Sequence, residues 1–206
     1  MGPSMIERLS IRTKLVVILL IPIVALLYFS ISSVREKSAV ADNMGNVEML
    51  VRLVVKTGEV VHALQKERGI SSGFLGSKGK HFELALSAQR VATDRAREEL
   101  EKIALGLETA RHPARQELSL SGARQKLQEL AQQRAMVDQL QVEASRSFRG
   151  YNEIIAALLE IPMQLPTLGN GDPELTRSSL AYIALLFVKE YTGQERALLN
   201  NAFGAG

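Results

Sequence analysis

The sequence predicts an all-α fold, an antiparallel (up-down) helical bundle continuous with one N-terminal transmembrane helix. Three observations favour this fold class. A long run near the N-terminus lacks ionisable residues, and the chain is rich in helix-forming Ala, Leu, Glu, Gln and Arg, with aromatic residues at only 5%. Clusters of Gly and Pro separate the later helical stretches, and no alternation of apolar and polar residues is long enough for a sheet.

The apolar run at residues 15–34 has the length of a membrane span. It contains no ionisable side chain, and about twenty helical residues reach roughly 30 Å, the thickness of the hydrocarbon core of a bilayer. Arg8, Arg12 and Lys14 lie just before it, so the positive-inside rule places residues 1–14 in the cytoplasm. We therefore expect a single pass through a cell membrane.

This assignment leaves residues 35–206 as one domain beyond the membrane, large enough to bury a core. The competing interpretation is a signal peptide cleaved near residues 39–41, whose Ala-Val-Ala has the small-x-small form of a cleavage site. However, the apolar run is longer than the usual ~7–15-residue core of a signal peptide. Since a second membrane helix and an output domain would follow Gly206, we expect the domain to be truncated there.

Breaker clusters divide the domain into four helical stretches. We expect helices from residue 34 to about 77, from about 81 to 107, from about 114 or 122 to 159, and from 173 onward. The last has the clearest start, because Asp172 provides an N-cap, Pro173 fits the first helical position and Glu174 suits the positive end of the helix dipole. Short connections between long helices make neighbouring helices antiparallel.

A packed seam is visible in the first stretch. Its positions follow spacings of three and four residues, the rhythm of a helix face turned to a core, at Leu50, Val54, Thr57, Val61 and Leu64. The same rhythm puts Arg68, Ser71 and Leu75 on that face. A buried guanidinium needs a counter-charge or several acceptors, and its planar fork fits a planar oxyanion.

A second arginine has a similar local sequence near the C-terminus. Residues 193–197 (Gly-Gln-Glu-Arg-Ala) echo residues 65–69 (Gln-Lys-Glu-Arg-Gly), so Arg196 corresponds to Arg68. Two stripes of residues on its helix are alternatives for the face that packs against the bundle. One stripe consists of Lys189, Thr192, Arg196, Leu199 and Phe203. The other consists of Ile183, Leu186, Gly193 and Ala197. Two roles are open for the arginines: structural pairing with a glutamate on a neighbouring helix, and an anion site where they converge without protein counter-charges.

Four sequence blocks, taken together and in order, resemble the NIT domain, the nitrate- and nitrite-sensing module of bacterial receptors. The blocks lie at residues 50–76, 89–94, 151–155 and 189–199. The first contains Gln-Lys-Glu-Arg-Gly-Ile-Ser-Ser-Gly-Phe-Leu-Gly, and the last reads Lys-Glu-Tyr-Thr-Gly-Gln-Glu-Arg-Ala-Leu-Leu. The resemblance implies an all-helical domain that binds nitrate or nitrite and is fused to varied signalling outputs.

The resemblance also implies roles for individual residues. The family's binding arginines belong to the Glu-Arg-Gly and Gln-Glu-Arg blocks, which makes Arg68 and Arg196 the expected ligand-binding residues. Further ligand-binding candidates are Arg90, Ser71, Ser72 and Thr192. The alternative for Arg90 is a place on a solvated helix face, and the alternative for the three hydroxyl residues is packing between helices. Some relatives carry an arginine where this chain has Glu67, which would leave less positive charge here. In a simple four-helix hairpin the two arginines would differ in height by about 20 Å along the bundle. The sequence therefore does not decide whether they share one site.

The expected setting follows from the same resemblance. It implies the sensor part of a bacterial transmembrane signalling receptor, such as a chemoreceptor, in the inner membrane with its sensor domain periplasmic or extracellular. Nitrate or nitrite, the membrane and a second copy in a homodimer are the expected partners. The alternatives are a generic helical sensor for an organic acid or amino acid, and a single-span scaffold that binds only proteins.

Composition argues against several other classes of protein. Cysteine is absent, so no disulfide or thiolate chemistry is available. The histidines lack ligand-like spacing, and no Ser-His-Asp order, phosphate loop or dinucleotide fingerprint is present, so we expect no enzyme activity, metal or cofactor. The net charge of +3 is too small and scattered to suggest nucleic-acid binding.

Overall fold

The computed structural model describes residues 11–109, 119–164 and 173–204, which fold into α-helices joined by short irregular segments and contain no strand. The helices are α1 (Ile11–Gly76), α2 (Glu83–Thr109), α3 (Ser121–Asp138), α4 (Ala144–Met163) and α5 (Pro173–Gly204). The predicted all-α fold is therefore confirmed for this part of the chain. The chain divides into two compact units, Met1–Asn46 and Val47–Gly206, and the second contains the helical bundle.

The membrane assignment is corrected by the structure. In the described part of the chain, no helix is long and apolar enough to cross a membrane. Residues 15–34 form the N-terminal part of the 66-residue α1, and the rest of this helix carries many charged and small residues. The predicted transmembrane helix is not confirmed, and the predicted location in a bacterial inner membrane, with a sensor domain on its far side, is wrong.

The third predicted stretch is two helices rather than one. Between α3 and α4 the chain turns at Leu140, which has a positive φ of 53°. The amide N–H of Gln141 donates to the carbonyl oxygen of Met136 at 3.0 Å and closes the end of α3. A helix end of this kind most often uses glycine at the left-handed position, so the sequence carried no clear sign of the break.

The extra break reverses the direction of the last helix. With α3 and α4 antiparallel, α5 runs parallel to α1 rather than antiparallel to it. Side-chain contacts between the two helices show this, because their residue numbers rise together: Gly58 lies against Tyr182, Gln65 against Glu190 and Arg68 against Gly193. The height difference inferred from a four-helix hairpin therefore does not apply.

The turn after α1 follows the predicted breaker cluster at residues 76–79. Gly79 has a φ of 77°, in the region that only glycine adopts at little cost. Its amide N–H donates to the carbonyl oxygen of Phe74 at 2.9 Å, the long bond of a Schellman-type helix end. The start of α5 at Pro173 also agrees with the prediction, whereas the predicted N-cap Asp172 lies outside the described residues.

The seam predicted on α1 is confirmed as part of the core. All of its positions are buried, and Thr57 and Leu64 are 0% exposed. The other helices of the bundle contribute Leu100, Leu130, Ile155 and Leu186 to the same cluster. Each large apolar side chain that is fully buried contributes roughly 1.5–3 kcal/mol, so this cluster holds the helices together.

Gly58 allows α5 to approach α1 closely. A Cβ atom at this position would lie 2.5 Å from the hydroxyl oxygen of Tyr182 and 3.5 Å from the side chain of Leu186. The absence of a side chain therefore makes room for the tyrosine. This contact helps to set the register of α5 along the part of α1 that carries Arg68.

Truncation of Leu64 tests the core. Leu64→Ala is expected to lower the free energy of unfolding by about 2–5 kcal/mol, because the removed methyl groups leave a cavity. Leu84 is a matched control, since its side chain is 88% exposed, and Leu84→Ala should change stability by no more than about 0.5 kcal/mol. Urea denaturation followed by circular dichroism measures both variants. Equal losses would contradict this assignment of the core.

Candidate functional site

The adjacent residues Glu67 and Arg68 of α1 face different neighbours. Successive residues on an α-helix are rotated by about 100°, and here Glu67 contacts α3 and α4 while Arg68 contacts α4 and α5. Both are buried, Glu67 at 0% and Arg68 at 3% exposure. The prediction that Arg68 continues the buried face of α1 is confirmed.

Three side chains hold the guanidinium of Arg68. Its Nη1 donates to a carboxylate oxygen of Glu190 on α5 at 2.5 Å and to the side-chain oxygen of Asn152 on α4 at 2.5 Å. The ring centroid of Phe148, also on α4, lies 4.6 Å from the guanidinium carbon, close enough for a cation–π contact. Arg68 is therefore fixed in position by α4 and α5 together.

Glu190 is the buried counter-charge of Arg68. It is 3% exposed, and its second carboxylate oxygen accepts a hydrogen bond from Nε2 of Gln65 at 2.8 Å. The oxygen bonded to Arg68 also accepts from Nε2 of Gln194 at 2.6 Å. A buried ion pair is tolerated when its geometry is good and its other polar atoms are satisfied. Of the two roles left open by the sequence, structural pairing therefore applies to Arg68, which does not lack a protein counter-charge.

An open cleft of ≈ 780 Å³ lies beside this pair, bordered by α1, α4 and α5. Its basic lining residues are Lys66, Arg68, Lys189 and Arg196. Among the described residues that line it, none is acidic. Glu190 neutralises Arg68 and does not itself line the cleft. The other three basic side chains therefore leave the cleft with an excess of positive charge.

His62 adds a titratable group to the cleft. Nζ of Lys189 donates to its Nδ1 at 3.0 Å. Burial lowers the pKa of His62 below its ordinary value of 6.5, and the nearby charges of Lys189 and Lys66 lower this pKa further. The imidazole is therefore neutral at pH 7, and it becomes a further positive charge only in more acidic solution.

The structure brings four of the six predicted ligand-binding residues to this cleft. Arg68, Arg196, Ser72 and Thr192 all line it. The side chains of Arg196 and Thr192 are exposed, and no described acidic residue forms an ion pair with Arg196. Ser72 donates its hydroxyl to the backbone oxygen of Arg68 at 2.9 Å. The two arginines border one space because α5 runs parallel to α1.

The other two candidates lie elsewhere. Oγ of Ser71 lies 3.2 Å from the hydroxyl oxygen of Tyr151. Arg90 forms an ion pair with Asp138 at 2.8 Å. Neither residue is among those that line the cleft.

Glu67 anchors a separate buried network between α1, α2, α3 and α4. Arg134 donates to both of its carboxylate oxygens, at 2.7 and 2.9 Å, and also to Asp94 at 2.8 Å. The hydroxyl of Tyr151 donates to Glu67 at 2.9 Å. Burial raises the pKa of Tyr151, and the charge of Glu67 raises it further, which keeps the phenol protonated. Glu67 is thus neutralised away from the cleft and does not cancel the positive charge there.

Sequence reasoning missed the three partners of Arg68. The sequence pattern could have predicted Glu190, because this residue lies four positions after Leu186 and three before Gly193 and so falls on the same stripe. This stripe faces the bundle, with Leu186 at 8% exposure, whereas the alternative stripe through Lys189 is exposed. The partners on α4 had no comparable signal, because nothing local distinguishes them from other residues of that helix.

Comparison with known protein families identifies the family of this chain. The NIT family, described as nitrate and nitrite sensing, has a model that matches residues 59–206. The chain belongs to this family. The matched region includes both Arg68 and Arg196, and every residue that lines the cleft.

Two relatives extend the comparison. The NIT chain is 32% identical over 149 residues to a nitrate regulatory protein from Klebsiella oxytoca, covering 71% of this chain and 37% of the relative. Its fold is similar to the structure of the NasR transcription antiterminator, with a TM-score of 0.71 and 25% identity over 84% of this chain and 46% of the other. The chain spans less than half the length of either relative. The first is named a regulatory protein, and the second a transcription antiterminator.

Substitution of Glu67 tests the structural network. Glu67→Gln is expected to lower the free energy of unfolding by about 2–4 kcal/mol, because it removes a buried negative charge that Arg134 requires. Glu48→Gln is the matched control, since Glu48 pairs with Arg52 at 2.7 Å on the surface, with side chains 64% and 68% exposed. That control should cost about 0–1 kcal/mol. Urea denaturation measures both, and an equal effect of the two changes would argue against the network.

Proposed function

We propose that this NIT chain is a sensor module that binds nitrate or nitrite in the cleft between α1 and α5. The observation that carries the proposal is the basic lining of this cleft, which includes both motif arginines and has no acidic member among the described residues. The module acts by binding, not by catalysis. Ligand capture is passed on as a change in the packing of the two helices.

The charge distribution supports an anionic ligand. Arg68 is balanced by Glu190, whereas Lys66, Lys189 and Arg196 supply net positive charge around the same space. A cleft with protein walls strengthens such attraction relative to open water, because the effective dielectric constant is lower. An anion entering the cleft therefore relieves repulsion between cations of α1 and α5.

The donor groups support a planar oxyanion. A guanidinium presents N–H groups in a plane, at spacings that match the oxygens of a planar anion. The exposed hydroxyl of Thr192 provides another donor at the cleft. Nitrate and nitrite, which are small, planar and singly charged, fit these donors.

The alternative functions are less well supported. An amino-acid ligand would need an acidic partner for its amine, and the described lining of the cleft supplies none. A protein-binding scaffold would have both arginines already satisfied by glutamates, as Arg68 is. Arg196 is exposed and has no such partner among the described residues.

Signalling requires the ligand to distinguish two helix arrangements. A ligand shifts such an equilibrium only by the difference in its affinity for the two states. Here the difference comes from bringing cations of α1 and α5 closer once an anion lies between them. A homodimer stays a prediction from the family resemblance.

Alanine substitutions of the two arginines test the proposal. Arg196→Ala should weaken nitrate binding by about 10- to 100-fold, the loss of one charge-assisted hydrogen-bonding group. Arg68→Ala should weaken it at least as much, and circular dichroism checks that this variant folds, because it leaves the buried Glu190 without its counter-charge. Arg177→Ala is the matched control, because Arg177 is an exposed arginine of α5 that does not line the cleft. Isothermal titration calorimetry of the full chain with nitrate, nitrite, chloride and acetate gives the affinities.

Two results of that titration would contradict the proposal. One is an equal, weak response to every anion, which would indicate general charge attraction. The other is a loss of affinity in Arg177→Ala as large as that in the cleft variants. The first result would show that the cleft does not select its ligand. The second would show that binding does not depend on the cleft.

The pH dependence of binding gives an independent test. In the empty cleft the pKa of His62 is lowered by burial and by Lys189 and Lys66, so protonation is disfavoured there. A bound anion favours the protonated imidazole, and by linkage nitrate affinity should rise as the pH falls from about 7.5 to about 5.5. His62→Gln should flatten this dependence. The same slope in the variant would exclude His62 as its source.

A further inference from the structure

We propose that the anion docks on the Nη2 edge of Arg68, beside Gly193, while Glu190 and Asn152 keep hold of Nη1. This inference rests on the proposed function and deepens it. It assigns Gly193 as the residue that opens the guanidinium to the ligand. It also separates the tasks of the two motif arginines.

The hydrogen bonds of Arg68 leave one edge open. Each terminal nitrogen of a guanidinium carries two N–H groups. Those of Nη1 are both used, by Glu190 and by Asn152, each at 2.5 Å. No described residue accepts a hydrogen bond from Nη2. A ligand can therefore reach Nη2 without breaking either bond that holds the arginine.

Gly193 gives this edge access to the cleft. It lines the cleft, and a Cβ atom at its position would lie 3.3 Å from Nη2 of Arg68. An oxygen accepting from that nitrogen would lie about 2.7–3.2 Å away. A methyl group at residue 193 would compete with the ligand oxygen for this space. Nη2 cannot easily retreat, because Nη1 is tethered and Phe148 lies against the guanidinium.

The two arginines then contribute differently to binding. Glu190 neutralises the charge of Arg68, so Arg68 contributes a correctly oriented hydrogen-bond donor rather than net charge. Its guanidinium is already held in position by α4 and α5 before the ligand binds. Preorganised donors bind better because little freedom is lost on binding. Arg196 is exposed and has no described counter-charge, so together with Lys66 and Lys189 it supplies net attraction.

Alanine substitution at two glycines of the same cleft tests this geometry. Gly193→Ala should weaken nitrate binding by about tenfold or more, the loss of a charge-assisted hydrogen bond. Gly69→Ala is the matched control, because Gly69 also lines the cleft but a Cβ atom there would meet nothing within 4 Å. The control should stay within about twofold of the parent chain. Both are helical positions where alanine is the better helix former, and circular dichroism checks that each variant folds.

Calorimetric titration of the full chain and both variants with sodium nitrate separates the outcomes. If the parent chain binds nitrate and the two variants bind equally well, the docking edge is wrong and the proposed function stands. If the parent chain does not bind nitrate, the proposed function fails and this inference fails with it. Selective loss in Gly193→Ala supports the docking edge.

A crystal structure of the unsubstituted chain with nitrate decides the matter if Gly193→Ala does not fold. The expected result is nitrate at Nη2, with the Arg68–Glu190 and Arg68–Asn152 bonds intact. Nitrate in place of the Glu190 carboxylate on Nη1 would overturn the inference. So would nitrate bound away from Arg68.

Discussion

The buried ion pair between Arg68 of α1 and Glu190 of α5 is the interaction on which the cleft depends. Both side chains are at most 4% exposed, so neither charge can be left without the other at acceptable cost. Gln65, Gln194 and Asn152 complete the hydrogen bonds around them. The pair holds α5 beside α1, and it explains why the exposed cations of both helices meet at one opening.

Adjacent residues of α1 belong to two different charge networks, a structural one at Glu67 and the proposed ligand-binding one at Arg68. Glu67 belongs to the network of Arg134 and Tyr151, which is closed by protein partners. Arg68, the next residue, reaches the cleft. Because neighbouring residues on a helix point in different directions, the acidic Glu67 does not line the cleft or reduce its positive charge. Arg68 is therefore held by protein partners and at the same time borders the cleft.

Several features of the fold were beyond local sequence analysis. The break at Leu140 lacks the glycine that usually marks such a helix end, and it changed the direction of α5 relative to α1. That change brought Arg196 to the level of Arg68, where a four-helix hairpin would have held them apart. The apolar run at residues 15–34 was interpreted as a membrane span, and the chain was therefore placed in a bacterial inner membrane. The absence of a spanning helix among the described residues and the two relatives contradict that placement.

The sequence by itself determined that the chain is helical, which face of α1 is buried, and that Arg68 lies on that face among small residues. These properties follow from periodicity and local breakers, which act over a few residues. Only the tertiary structure decided which partners Arg68 has, that Ser72 and Thr192 reach the cleft while Ser71 and Arg90 do not, and that Arg196 faces the same space. Such contacts depend on the order and direction of packed helices, and residues far apart along the chain carry no local signal of that arrangement.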